Sequence, residues 1–96
     1  MPSYRLSEQA VADMEFIGDE SIQKFGMLQA RKYHLELERR FDLLGEFPGI
    51  GIASDDLRPG LYRQPHVAHT IFYTIHPDHI LIVRVLPARA DFGRHF

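Results

Sequence analysis

The sequence contains no cysteine. That excludes disulfides, thiolate metal sites and a cysteine nucleophile, and it fits a chain kept in a reducing cytoplasm. No long apolar run is present either: the longest, Ile80 to Val83, is far too short to cross a bilayer. Met1 to Leu6 offers no charged start followed by an apolar stretch, so no secretory signal is expected. A free nucleic-acid binder usually carries a positive excess, because neutralising phosphates supplies much of its affinity. Here the net charge is −2 and the isoelectric point is about 6.3. No Gly-Lys-Ser/Thr follows the glycines at 45, 49, 51 and 60, so there is no phosphate loop. Ser7, Ser21 and Ser54 lack the setting of a nucleophile elbow.

What is present is an ordinary globular balance, 45% hydrophobic and 25% charged over 96 residues, which predicts one domain spanning residues 1–96. A domain this small buries only about two-thirds of its unfolded surface, so a partner could add substantially to its stability. Nine of the eleven cationic residues are Arg, the residue suited to bidentate and stacked contacts. Residues 1–48 hold six Lys/Arg against nine Asp/Glu, whereas residues 49–96 hold five Arg against four Asp and five of the six His. An anion-facing surface is therefore expected in the second half.

Tyr4-Arg5-Leu6 reads as a short strand and Ser7 as an N-cap. Ala10, Met14, Ile17, Ser21 and Phe25 recur at three- and four-residue steps, predicting a helix over 8–24 that stops at Gly26. Ala30, Tyr33, Leu37, Phe41 and Leu44 form the stripe of a second helix, which the Gly45 to Gly51 segment with Pro48 breaks. So short a link predicts an antiparallel helical hairpin. The period then changes. Asp55 to Gly60 reads as a loop, Leu61 to Gln64 and Val67 to Ile75 as strands, His76-Pro77-Asp78-His79 as a turn, and Ile80 to Leu86 as a strand ended by Pro87. Ala88 to Phe96 is a tail, irregular or a single helical turn. The order predicts an α+β fold: an N-terminal strand, then a helical hairpin packed on one face of an antiparallel sheet whose other face is open.

If His76 to His79 form the turn, Ile75 pairs with Ile80, Tyr73 with Ile82, Ile71 with Arg84 and His69 with Leu86. Opposed residues share a face, so His69, Tyr73 and Arg84 would gather on the open face, with Arg63 able to join from the preceding strand. Phe72, Leu81, Val83 and Val85 would then face the helices. Arg can stabilise phosphate charge, and His or Tyr can move a proton or stack on a base, which is the outline of an RNA-cutting or anion-binding site. The same pattern also fits Arg84 snorkelling from an edge with Tyr73 and His69 as packing residues. A one-residue slip would dissolve the cluster. His66-x-x-His69 and His76-x-x-His79 have metal-like spacing, but on a strand residues three apart point to opposite faces. Neither a metal nor a cofactor is expected. Phe16, Leu28 and Leu35 lie off the helical stripes and suit either helix–helix packing or a groove for a partner's amphipathic segment.

Several segments resemble the ParE branch of the RelE/ParE toxin superfamily: Leu57-Arg58-Pro59-Gly60-Leu61 before the sheet, His69-Thr70-Ile71-Phe72-Tyr73, Ile82-Val83-Arg84-Val85-Leu86, and the tail Arg89-Ala90-Asp91 with Arg94-His95-Phe96. Tyr4 to Ser7 and the junction from Phe25-Gly26 to Gln29-Ala30 also fit. The resemblance covers nearly the whole chain. It departs at Pro87, where relatives commonly carry His, and at Tyr62, often Arg in relatives. What it implies is a RelE/ParE-like fold in the toxin of a type II toxin–antitoxin system, held in a tight hetero-oligomer by a ParD-like antitoxin that alone touches DNA. ParE relatives poison DNA gyrase by binding, while RelE relatives cut mRNA on the ribosome. For gyrase binding the residues implied are Arg58, Arg63, Tyr73, Arg84, Arg89, Arg94 and His95. The mRNA-cutting alternative would use Arg63, His69, Tyr73 and Arg84. For the antitoxin they are Phe16, Leu28, Arg31 and Leu35. A third alternative, opened by Pro87, is a degenerate toxin retained as a binding module or co-repressor.

Overall fold

The computed structural model describes residues 3–96; the first two positions of the N-terminal reading above lie outside them. Strand β1 (Tyr4–Leu6) leads through Ser7 into a helical run, Glu8–Glu46. Ser7 accepts from the Ala10 amide at 3.0 Å and donates its hydroxyl to the Val83 carbonyl at 2.7 Å. The helix start is thus capped and tied to the sheet at once. The run is interrupted at Gly26, whose φ of 84° and ψ of 169° lie in a region that is essentially glycine-only. It therefore comprises two helices, α1 (8–25) and α2 (27–46). A straight helix of 39 residues would reach about 58 Å, whereas the longest dimension of the molecule is 37 Å. Val11 and Met14 of α1 share one cavity wall with His34, Glu38 and Phe41 of α2, the pairing of an antiparallel hairpin.

After a 3₁₀ turn (Pro48–Ile50) come β2 (Ile52–Ala53), β3 (Leu61–His66), β4 (His69–Ile75), β5 (Ile80–Pro87) and a second 3₁₀ turn (Phe92–Arg94). The sheet order is β1-β5-β4-β3-β2, with β1 parallel to β5 and the other neighbours antiparallel. The two-residue edge strand β2 and the parallel placement of β1 add to the expected meander.

Between β4 and β5 the register runs as expected from Ile75↔Ile80 to Tyr73↔Ile82, then shifts by one at Phe72/Tyr73, so that Phe72 rather than Ile71 opposes Arg84. Val83 is the extra residue of this β-bulge. The cause lies at the edge. β1 ends opposite Ile82, and beyond it α1 takes over as the neighbour of β5: the Ser7 amide donates to the Ile82 carbonyl at 2.9 Å, and the Val85 amide donates to the Asp13 carboxylate at 2.9 Å. Side-chain and cap groups thus replace a missing strand, so the edge amides keep partners.

The helices cover the face opposite to the one expected, and the bulge moves Arg84 off the face that carries Tyr73. Ile71, Tyr73, Ile80, Ile82 and Val85 pack under α1 and α2 against Ala10, Met14, Ile17, Leu37, Phe41 and Leu44. Phe72, Val83 and Leu81, expected under the helices, lie on the other face with Leu61 and Leu86. That second face is not open. Leu57 from the loop and Ala90, Phe92 and Phe96 from the tail cover it, with the Phe92 and Phe96 rings 4.9 and 4.8 Å from that of Phe72. What the fold leaves uncovered is the outside of the helices, where Phe16, Phe25, Met27 and Leu28 are each more than 60% exposed.

Candidate functional site

The four residues expected to converge on one open face are divided between two. Tyr73 is fully buried on the helix side. Its hydroxyl donates to the Pro48 carbonyl at 2.6 Å and accepts from the Gly51 amide at 3.0 Å, fastening the 3₁₀ turn to the sheet. It is a structural tyrosine, out of reach of any macromolecular target. His69 is on the same face, four residues earlier, under Tyr33 of α2. Arg63 and Arg84 lie on the tail side, both opposite Phe72.

Arg84 is mostly buried and forms a two-pronged ion pair with Asp13, Nε to Oδ2 at 2.8 Å and Nη2 to Oδ1 at 2.9 Å. Parallel N–H···O bonds of this kind are among the stronger polar contacts. They hold the guanidinium firmly charged, its pKa raised chiefly by the hydrogen bonds to Asp13. The remaining nitrogen, Nη1, lies 3.3 Å from His95 Nδ1, which links the tail to the same knot. The other cations set in the second half gather round the tail. Arg58 stacks over the Phe96 ring at 5.3 Å, and Arg94 lies 3.6 Å from Asp91 on the surface, a weak exposed pair. Arg89 is exposed. Arg58, Arg63, Arg89, Arg94 and His95 thus belong to one tail-side region with Arg84 at its anchored end, and Tyr73 is removed from the set.

On the helices, Phe16 is 64% exposed, Leu28 85% and Leu35 45%, so none is consumed by helix–helix packing. They do not form one patch. Phe16 is spaced at three and four residues from Asp13 and Glu20, on the sheet-edge flank of α1, whereas Leu28, Arg31 and Leu35 form a single row on the back of α2.

Sequence reasoning missed a polar cluster at the β3–β4 hairpin. Val67 and Ala68 form a two-residue turn, so His66 and His69 oppose each other across it and share a face instead of pointing apart. Tyr33 Oη lies 2.7 Å from His69 Nδ1 and 3.3 Å from the His66 carbonyl. One hydroxyl proton serves one acceptor, so a chain from His69 Nδ1–H to Tyr33 Oη and from Tyr33 O–H to the His66 carbonyl satisfies both contacts. Burial pushes the His69 and His66 pKa values below the ordinary histidine value and raises that of Tyr33. His66 Nε2 is shut off from solvent with no hydrogen-bond partner. The expected strands, Leu61 to Gln64 and Val67 to Ile75, put the link at Pro65-His66, two residues too early, and neither Val67 nor Ala68 is the glycine that marks a two-residue turn. Val67 occupies it with φ of 52°, a genuine outlier for a β-branched residue. His76 and His79 stack at 5.0 Å beside Asp78. Among the described residues, no three His, Cys, Asp or Glu side chains are grouped to hold a metal, and no helix is long and apolar enough to cross a membrane.

Comparison with known proteins places this architecture. Residues 4–92 match the family model described as the ParE toxin of type II toxin–antitoxin system, parDE. Toxin ParE1 of Caulobacter vibrioides is 37% identical over 97 residues, covering 97% of this chain and all of that protein. Toxin ParE1 of Mycobacterium tuberculosis is 37% identical over 93 residues, covering 96% of this chain and 95% of that protein. Among solved structures, a chain from the chromosomal ParDE TA system of P. aeruginosa has the same fold, with a TM-score of 0.77 over 91% of this chain and 96% of that one at 19% identity. With a family model spanning nearly all of the sequence and relatives aligned end to end, the chain belongs to the ParE toxin family of type II toxin–antitoxin systems.

Proposed function

We propose that the chain acts in the cytoplasm as a single toxin domain that inhibits DNA gyrase by binding it, and that a ParD-like antitoxin neutralises it in a hetero-oligomer whose DNA contacts belong to the antitoxin. The observation that carries binding over chemistry is the separation of the polar residues. Arg63 and Arg84 are on the tail side, His69 and Tyr73 on the helix side. Arg84 is engaged by Asp13 and Tyr73 by Pro48 and Gly51. A general acid or base must lie within hydrogen-bond reach of the same substrate as its charge stabiliser, and these four do not face a common space. The gyrase surface is assigned to the tail side, through Arg58, Arg63, Arg89, Arg94 and His95. The antitoxin is assigned to the exposed row Leu28, Arg31 and Leu35, with Phe16 as a separate contact on the flank of α1.

The test is expression without antitoxin. Gyrase inhibition gives cleaved DNA and damage signalling before protein synthesis falls. Immediate loss of protein synthesis with mRNA fragments would overturn the reading in favour of ribosome-dependent cutting, and unimpaired growth would overturn it in favour of a degenerate toxin.

A further inference from the structure

Gln29, Tyr33, Glu36, Arg40 and Leu43 recur at four and three residues and so form one row of α2, distinct from the outer row of Leu28, Arg31 and Leu35. This row faces the β3–β4 turn across a groove with two cavities. The first, about 390 Å³, lies between Phe25, Tyr33 and Val67 and is walled mainly by carbon. The second, about 240 Å³, lies between Arg39, Arg40 and His66, with Glu36 on its wall. The stacked rings of Tyr33 and His66, 5.9 Å apart, form the saddle between them.

Three features of this groove have no use within the chain. Among the described residues, neither Arg39 nor Arg40 is in an ion pair. His66, on the wall of the same cavity, also holds a buried nitrogen without a partner, and such an atom is uncommon enough to need a reason. Val67, 79% exposed, holds a strained backbone where glycine would be relaxed, so an apolar side chain stands at the mouth of the first cavity at a conformational cost.

We propose that this groove seats an acidic segment of the antitoxin, with one large apolar side chain in the Phe25–Tyr33–Val67 cavity and one carboxylate held by Arg39 and Arg40 beside His66. The proposal rests on the toxin–antitoxin reading above. Two unpaired guanidiniums select an anion, and their forked donors match a carboxylate. A nucleic-acid strand is disfavoured: Glu36 lines the arginine cavity and Glu20 the first one, so a run of phosphates along the groove would meet a carboxylate in each. Tyr33 and Arg40 are seven residues apart on one helix, about 10 Å along its axis. An extended peptide spans that in about three residues, which fixes the expected pattern as an aromatic or large aliphatic residue three positions from an Asp or Glu.

The test titrates the chain with its fluorescently labelled cognate antitoxin. Arg39→Glu/Arg40→Glu should weaken binding about a hundredfold, and an Asp/Glu→Lys change in the antitoxin should restore much of it. Phe25→Asp should weaken it comparably, while the thermal midpoint of the arginine variant stays within a few degrees of the parent. If the glutamate pair does not fold, Arg39→Gln/Arg40→Gln gives the same reading with a smaller loss. Binding by Arg39→Glu/Arg40→Glu within threefold of the parent, alongside loss in Leu28→Asp/Leu35→Asp, would overturn the groove and leave the toxin–antitoxin reading intact. No binding by the parent would overturn both. Arginine-dependent binding of a labelled single-stranded oligonucleotide would assign the anion site to nucleic acid and remove the proposal.

Discussion

Two glycines of the hairpin should respond to the same substitution with opposite signs. Gly18 lies in the middle of α1, and a Cβ built on it meets nothing within 4 Å. Alanine there removes the backbone entropy that glycine loses in a helix and should stabilise by about 1 kcal/mol. Gly26 also has free space around a Cβ, but its φ is 84°. At that φ with ψ of 169° an L side chain is strained by about 1–3 kcal/mol. Because neither position has a steric neighbour, the contrast isolates backbone conformation from packing. In a domain of this size 1 kcal/mol moves the thermal midpoint by about 4–8 °C, so Gly18→Ala should raise it by about that much and Gly26→Ala lower it by as much or more.

The assay is urea denaturation followed by far-ultraviolet circular dichroism, with equal slopes in all variants as the sign that only stability has changed. The two sites are eight residues apart and share no partner, so the double variant should show the sum. Gly26→Ala should also weaken the antitoxin more than its stability loss accounts for, because Phe25 and Leu28, on either side of the turn, belong to the proposed contact surfaces. A Gly26→Ala protein as stable as its parent would refute the reasoning, since the chain would then not turn through the backbone conformation described.

Other outcomes follow from the internal polar contacts. Arg84→Ala should cost about 3 kcal/mol in chemical denaturation, because it leaves the Asp13 carboxylate mostly buried without its charge partner; an unperturbed midpoint would show the pair to be dispensable. Tyr73→Phe should cost about 1–3 kcal/mol through the lost bonds to Pro48 and Gly51. Gly51→Ala should cost at least as much, since a Cβ there would overlap the Tyr73 hydroxyl and ring. In pH-dependent unfolding, His69 and His66 have folded pKa values lowered from 6.5, mainly by burial, so the unfolded chain binds their protons first. Their contribution to stability is complete above about pH 6.5 and is lost as the pH falls below it, through the folded values. His69→Gln should flatten the profile in that window, and a slope there as steep as the parent's would place the linkage elsewhere.

The legible parts of the fold were those governed by neighbours in sequence. Ser7 announces a helix because its hydroxyl reaches an amide three residues on, Gly26 because only its own backbone is at stake, and Pro77 because it presets a turn. The β4–β5 register failed where the deciding group is remote. The bulge at Val83 is accommodated by Asp13, 72 residues from Val85, and no pattern within the strand records it. One inserted residue then parted Arg84 from Tyr73 and brought Val85 to the side of Ile82, while Phe72, Leu81 and Val83 lie on the opposite face because the helices cover the side that carries Tyr73. The tail looked irregular because Phe92 and Phe96, a single pair four residues apart, are too few to set a period, yet they cover the second face through single rings on Phe72. The His66–His69 contact was hidden because Val67 is not a residue expected at positive φ.

Arg84, the most prominent candidate in the sequence, joins α1, β5 and the tail through Asp13 and His95, so its replacement loosens three elements before any target is involved. Arg58 and Phe96 form a stacked pair, and the same caution applies to them. By contrast Arg39 and Arg40 form no ion pair among the described residues, and Leu28 is 85% exposed. Charges and apolar surface left idle by the fold carry little of its stability, and a binding partner can use them without first breaking an internal contact. A partner bound only to the folded state at a hundred times its Kd adds about 2.7 kcal/mol, a large share of what a core of this size supplies. An antitoxin seated on those idle groups would therefore raise the unfolding midpoint with the logarithm of its affinity, and Arg39→Glu/Arg40→Glu should remove most of that increment while leaving the free chain's midpoint where it was.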